Sequence, residues 1–180
     1  MTGEAALTLA TGRMEIAPDR LAALFDSHHQ RLYHLARRLA GDADEARDLV
    51  QETFLRAARA RHVPEGRSGE EAWLVRVLVN LCRDRWRQTA DRRRLTLHYE
   101  PFPDTTGGDP EAALVARSMV RWALAALPPR QRAVVVMHEL EGAAVPEIAR
   151  SLGVQAVTVR WHLSVARREL RRILRSHFDD

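Results

Sequence analysis

The chain has 180 residues, 28 of them basic and 24 acidic, giving a formal net charge of +4; 46% are hydrophobic and one is cysteine. A single thiol excludes an intramolecular disulfide framework and a cysteine-based zinc site, and the eight histidines show no HExxH or paired CxxC spacing, so no metal or other cofactor is expected. No apolar run approaches the roughly 20 residues that span a bilayer, so no membrane insertion is expected, and the single cysteine fits a cytoplasmic protein.

Residues 1–17 carry acidic side chains where a signal peptide would be basic, and read as a disordered tail. From Pro18 to Leu39 the apolar positions Leu21, Leu24, Phe25, Leu32, Leu35, Ala36 and Leu39 predict an amphipathic helix that Gly41 stops; His28 and His29 read as ordinary members of it. Asp42 can cap a second helix whose buried stripe is Ala46, Leu49, Val50, Phe54 and Ala57. His62 to Gly69, with Pro64 and Gly66, predicts a loop, and a third helix follows from about Glu70 to Arg94. Cys82 lies amid Leu78, Val79 and Leu81, as a small buried hydrophobe would. Between Leu95 and Pro110 the prolines, glycines and acidic charges read as a flexible linker. Helical spacing returns over Glu111 to Leu127, Pro128 and Pro129 interrupt it, and Arg130 to Glu141 is helical again. No strand-like alternation appears, so the fold class is all-α.

The segment VPEIARSLGVQAVTVRWHLSVARRELRR, Val145 to Arg172, has the outline of a helix-turn-helix. Pro146 suits a first helical turn, Gly153 can take the positive φ that ends the helix, and a second helix begins near Gln155. Its apolar stripe is Val159, Leu163, Ala166, Leu170 and Leu174, with Arg160, Arg167, Arg168, Arg171, Arg172 and Arg175 along or beside it. Such a helix can read base edges with its first turns and meet phosphate with its later arginines; it can also be a solvated basic face of a small bundle. Charge is polarised in the first sense: Arg117 to Arg175 holds eleven arginines against four acidic residues, while the first thirty residues are net acidic. Every basic residue is arginine, a bias that fits the composition of a genome as well as any function.

The third helix also separates its faces. Arg76, Asn80, Arg83, Asp84 and Arg87 occupy one side, and Leu74, Val75, Leu78, Leu81 and Cys82 another. With Trp73 and Trp86 flanking the basic side, the helix could support unstacked bases, or it could be the wet side of a bundle with core tryptophans. No convergent acids and no nucleophile with its base are visible, so no catalytic residue is assigned and no enzyme is expected.

In chain order, DADEARDLVQETFLRAARA, AWLVRVLVNLCRDRWR and LPPRQRAVVVMHELEGAAVPEIARSLGVQAVTVRWHLSVARREL resemble the signature segments of the extracytoplasmic-function (ECF) subfamily of bacterial sigma factors, over about Pro18 to Arg175. DLVQETFLRA followed by a Trp-led helix with Asn80 and Asp84 is the specific part; the terminal helix-turn-helix is shared by several regulator families. The resemblance implies a sigma-2 helical bundle, 18–94, and a sigma-4 helix-turn-helix domain, 111–180, joined by the linker 95–110. It implies a subunit that gives core RNA polymerase its promoter specificity, bound to the clamp of the β′ subunit and the flap of the β subunit, with promoter DNA and an anti-sigma factor as further partners.

Residue by residue, the resemblance assigns Asp48, Gln51 and Glu52 to the clamp and Arg76, Asn80, Arg83 and Arg87 to the melted minus-10 element. The loop His62 to Gly69 matches the segment that holds a flipped base. Thr158, Arg160, Trp161, Ser164 and Arg167 match the minus-35 duplex contacts. The chain departs from the family pattern at Val157, where glycine is common, at Trp161, where a small residue is usual, and at Val165, where a basic one is frequent; Trp161 is left either to read DNA or to pack. The acidic linker matches a segment that threads toward the RNA exit channel. The alternative is a stand-alone helix-turn-helix regulator, since TVRWHL also resembles response-regulator output domains; that class needs an upstream receiver or ligand domain, and the N-terminal half shows helical periodicity only.

Overall fold

In a computed structural model of the chain the described residues are 16–40, 42–89 and 119–178. They form α1 (Pro18–Leu39), α2 (Ala43–Ala58), α3 (Arg67–Thr89), α4 (119–126), α5 (Pro129–Val135), a π-helical turn (Val136–Leu140), α6 (Val145–Leu152) and α7 (Ala156–Phe178), with no strand among them. Residues 1–15, Gly41 and everything from 90 to 118 lie outside the described residues, including the linker 95–110 and the predicted ends of the helices on either side of it.

Local chemistry explains where the N-terminal helices begin. Pro18 occupies the first turn of α1, where no amide donor is needed, with Asp19 at the positive end of the helix dipole and Arg37 and Arg38 at the negative end. Asp42 Oδ1 accepts the Glu45 amide at 2.7 Å and caps α2 as expected, a contact worth about 1 kcal/mol. Gly66, at φ +84°, turns the chain so that its carbonyl accepts the amides of Gly69 and Glu70 at 2.9 and 3.0 Å. The third helix therefore starts at Arg67, and Arg67 to Gly69 belong to its first turn instead of the predicted loop.

Two further expectations change in this half. Ile16, placed in the tail by its neighbours, is buried, and its amide bonds to the Ala58 carbonyl at 3.3 Å, because the groove at the end of α2 takes one more apolar side chain. Phe25, placed in the core stripe of α1, is 44% exposed. It lies over Phe54 (5.0 Å between ring centroids) and His29 (4.4 Å) in an aromatic cluster at the surface of α1 and α2. The predicted core otherwise forms: Leu32, Leu35, Leu49, Leu74 and Leu78 are almost fully enclosed, and truncating such a leucine costs about 2–5 kcal/mol.

In the C-terminal half α5 does not continue as an α-helix to Glu141. It widens into a π-turn closed by the Glu141 amide on the Val136 carbonyl at 3.1 Å, with Val136 and Met137 both inside the core. The inward stripe of α7 is Val159, Leu163, Ala166 and Ile173, while Leu170 and Leu174 are only half-buried.

α3 is shared between the halves: α1 and α2 pack on it from one side, α5 and α6 from another, and the buried residues form one continuous cluster. Arg132 of α5 is buried and ties them together. Its guanidinium donates to the carbonyl of Leu39 at the end of α1, to Ala125 O at 2.6 Å and to Leu127 O at 3.2 Å. Carbonyls at helix C-termini lack intrahelical donors, so a buried cation there both satisfies them and meets the negative ends of the dipoles.

Candidate nucleic-acid interface

The helix-turn-helix is built as its residues require. Pro146 sits in the first turn of α6, and Ile148 and Ala149 point inward. Gly153 takes φ +65°, which lets the Val154 amide return to the Ala149 carbonyl at 3.0 Å and close α6. The Gln155 carbonyl then accepts the amides of Thr158 and Val159 at 3.0 and 3.2 Å and opens α7.

With Val159, Leu163 and Ala166 anchored inward, geometry turns Val157, Arg160, Trp161, Ser164 and Arg168 to the opposite side of α7, and all five are exposed. Trp161 is 58% exposed and does not pack into the core, touching His162 edge-on at 4.9 Å between ring centroids. Thr158 is half-buried. Arg167 is exposed and paired with Glu139 at 2.6 Å, and with Arg160, Ser164, Arg168 and Arg171 it lines an open cationic groove beside His138 and Val145.

The basic side of α3 has a different environment. Arg76 Nη2 donates to the Arg150 carbonyl at 2.9 Å, and its guanidinium lies flat against Gly153, where an added Cβ would fall 2.7 Å from Arg76 Cζ. Asn80 and Arg76 line a narrow cleft with Arg130, Leu152, Val154 and His162. Arg83 pairs with Asp84 at 3.1 Å, and Arg87 is open. Trp73 is half-buried against the core and Trp86 is half-buried. Two of the four residues assigned to single-stranded DNA thus face the helix-turn-helix of the same chain.

Asp48, Gln51 and Glu52 share one side of α2, as the spacing predicts. Asp48 and Gln51 are exposed; Asp48 lies 3.8 Å from Arg85 of α3, and Glu52 pairs with Arg56 at 3.1 Å. The surface is polar but partly self-neutralised. In the predicted base-holding loop, Val63 is buried and its carbonyl accepts from Arg20 at 2.8 Å, so that segment is braced against α1.

Burial pushes the His162 ring below its ordinary value, with the nearby Arg130 charge acting in the same direction, and its Nδ1 is buried with no hydrogen-bond partner among the described residues. Burial raises Glu141 despite Arg31 and Arg38, the latter bonded to it at 3.3 Å across the halves. Cys82 is buried, and burial pushes its thiol up to about 12, the behaviour of the inert core residue expected from the sequence. No group of three or more metal-ligating side chains occurs among the described residues, and no described helix is long and apolar enough to cross a membrane.

Sequence reasoning missed Arg132 and the engagement of Arg76. Arg132 follows the Pro128-Pro129 break as one arginine among many, and the only local signal was its place on the inward side of α5 beside Ala133.

An all-helical chain with a helix-turn-helix at one end and a second arginine-lined helix in its N-terminal half has the form of a two-part DNA-facing protein. Residues 24–93 match Sigma-70 region 2 and residues 117–170 match Sigma-70 region 4. The chain is 34% identical over 162 residues to the ECF RNA polymerase sigma factor SigM of Mycobacterium tuberculosis, covering 88% of this chain and 80% of that one. It is 36% identical over 160 residues to SigE of Mycolicibacterium smegmatis, covering 86% and 61%. The chain belongs to the ECF sigma factors of the sigma-70 family, the subunits that direct RNA polymerase to promoters. Its fold is similar to that of the sigma factor RpoE solved with the anti-sigma factor NepR from Bartonella quintana (TM-score 0.59, 24% identity, 87% of this chain and 95% of that one). It is equally similar to CnrH solved with the cytosolic domain of CnrY (TM-score 0.59, 24% identity, 89% and 90%).

Proposed function

We propose that this sigma factor divides promoter recognition between two helices: α7 reads the minus-35 duplex through Thr158, Arg160, Trp161, Ser164 and Arg167, and α3 holds the melted minus-10 strand through Arg76, Asn80, Arg83 and Arg87. The observation that carries the reading is the open outer side of α7, where Arg160, Trp161 and Ser164 project together from the second helix of a helix-turn-helix. Such a helix presents its first turns to base edges in the major groove, and the arginines further along meet phosphate. On α3, Arg83 and Arg87 supply charge for a single strand, and Arg76 and Asn80 join them once α6 moves away. Extracting a base from its stack costs a few kcal/mol, which the assembled complex recovers through backbone contacts.

Asp48, Gln51 and Glu52 form the docking surface for the β′ clamp, with the β flap held by the C-terminal half. Their side chains on adjacent turns can exchange the pairs with Arg85 and Arg56 for basic residues of a partner. An anti-sigma protein is a further partner, acting by holding the two halves so that neither helix meets DNA. The chain itself does no chemistry on DNA and works in the cytoplasm with the polymerase.

Run-off transcription by purified core polymerase, with and without the chain, on promoter DNA tests this reading. Promoter-specific transcripts only when the chain is present are the expected result. Specific duplex binding without core, and no transcripts with it, would instead identify a stand-alone regulator.

A further inference from the structure

The first turns of α7 carry an unusual surface for so basic a helix. Val157 and Trp161, one turn apart, are 61% and 58% exposed, the two highest values among the large hydrophobic side chains on the described surface. Arg160 and Ser164 flank them on the same side, and the cationic groove of Arg167 and Arg168 continues it. An apolar pair left in water stabilises nothing in the free chain, so it gains only when something apolar covers it. The surrounding arginines restrict what that can be: the partner must be polyanionic overall and offer an apolar knob. In the major groove of duplex DNA one base edge meets both conditions, the C5-methyl of thymine.

We propose that Val157 and Trp161 form a thymine-methyl reader, which gives the upstream element bound by this sigma factor a requirement for thymine beside the bases contacted by Arg160. Trp161 supplies a broad apolar face and Val157 a second contact one turn nearer the helix start, so the pair can cover one methyl or two on neighbouring base pairs. Arg160, between them in sequence, keeps its guanidinium free to bond a guanine or a phosphate. The inference rests on the assignment of α7 to duplex DNA, and it deepens that assignment by naming the group that is read.

The test uses the chain bound to core polymerase and a library of promoter duplexes randomised in the upstream element, prepared in parallel with thymine and with deoxyuridine, which lacks only the methyl. The thymine library is expected to yield an element containing at least one fixed T, and uracil at that position to lower affinity about fourfold per methyl, the fold-change corresponding to about 0.8 kcal/mol for one buried methylene-sized group. Trp161→Ala is expected to remove this preference while leaving the rest of the element selected; Trp161→Phe retains most of it, and Val157→Thr weakens it less than Trp161→Ala does. Both positions are exposed, so these variants keep the fold. Equal selection from the two libraries, with a defined element still emerging, overturns the methyl reader and leaves the duplex assignment standing. Selection of no upstream element at all removes the assignment and the reader with it. A loss of core affinity by Trp161→Ala in the absence of DNA overturns the proposal in favour of a protein contact.

Discussion

α3 and α7 look alike as strings: each is an arginine-bearing helix with a tryptophan in or beside its basic side. The fold treats them differently. On α7 the candidate DNA side is open, with Trp161 58% exposed, whereas on α3 Arg76 is bonded to Arg150 and packed on Gly153, and Asn80 borders the same cleft. The proposed duplex-reading side of α7 is therefore open, while of the four α3 residues proposed for the melted strand Arg76 and Asn80 border the helix-turn-helix and Arg83 and Arg87 lie outside that contact. A recognition helix is defined by what its neighbours leave uncovered as much as by its own residues, and on the proposed assignment α6 must move before Arg76 and Asn80 can join Arg83 and Arg87 on a strand.

Breaking the junction should have the largest effect. Arg132→Met removes the buried guanidinium from three carbonyls and is expected to lower stability by about 3 kcal/mol, since orphaned buried acceptors each carry a desolvation cost. Urea unfolding measures it, and a loss below about 1 kcal/mol would show that the halves are held elsewhere. On the open arm, Arg160→Ala should weaken upstream-element binding by the core-bound chain by about 1–3 kcal/mol if it bonds a base bidentately. An equal loss on random duplex would show a phosphate contact instead.

Gly153→Ala probes the contact between α3 and the turn of the helix-turn-helix. It forces an L-residue to φ +65°, costing about 1 kcal/mol, and its methyl displaces the Arg76 guanidinium. Thermal unfolding should report a modest loss, and Gly153→Asn, which tolerates that backbone, a smaller one. An unchanged midpoint for Gly153→Ala would argue that Gly153 does not hold this conformation.

The smallest effect should come from pH. His162 lines the cleft with Arg76 and Arg130, and its folded-state pKa is depressed by burial first and by Arg130 second. A depressed group contributes stability that is fully present above its ordinary value of 6.5 and is lost as pH falls through the folded value. Acidification below 6.5 should therefore loosen the cleft slightly, and His162→Gln should flatten that part of the profile. A ring that titrates at or above 6.5 by NMR would contradict the burial argument.

Most of the helical plan was legible because its signals are local. The Asp42 cap, Pro146 in the first turn of α6, Gly153 at its end and the stripe of α2 depend on residues within a few positions of one another. Ile16, the π-turn after Val135 and the early start of α3 were not, because each depends on which groove or glycine turn the third dimension supplies. Of the candidate site, the exposed side of α7 followed from its apolar stripe. The engagement of Arg76 and of Arg132 did not, since Arg76 meets a carbonyl 74 residues away and Arg132 meets one 93 residues away, separations that no periodicity encodes.

The proposed assignment requires α6 to leave Arg76 and Asn80 of α3 when the chain works with polymerase on promoter DNA. Spin labels at Gln88→Cys on α3 and Glu147→Cys on α6 can measure it by dipolar spectroscopy, since both positions are exposed and the native Cys82, buried with its thiol pushed up to about 12, stays unlabelled. A single interspin distance is expected in the free chain, replaced by a longer one when the chain is bound to core polymerase on promoter DNA. An unchanged distance in the complex that makes transcripts would contradict the proposed movement.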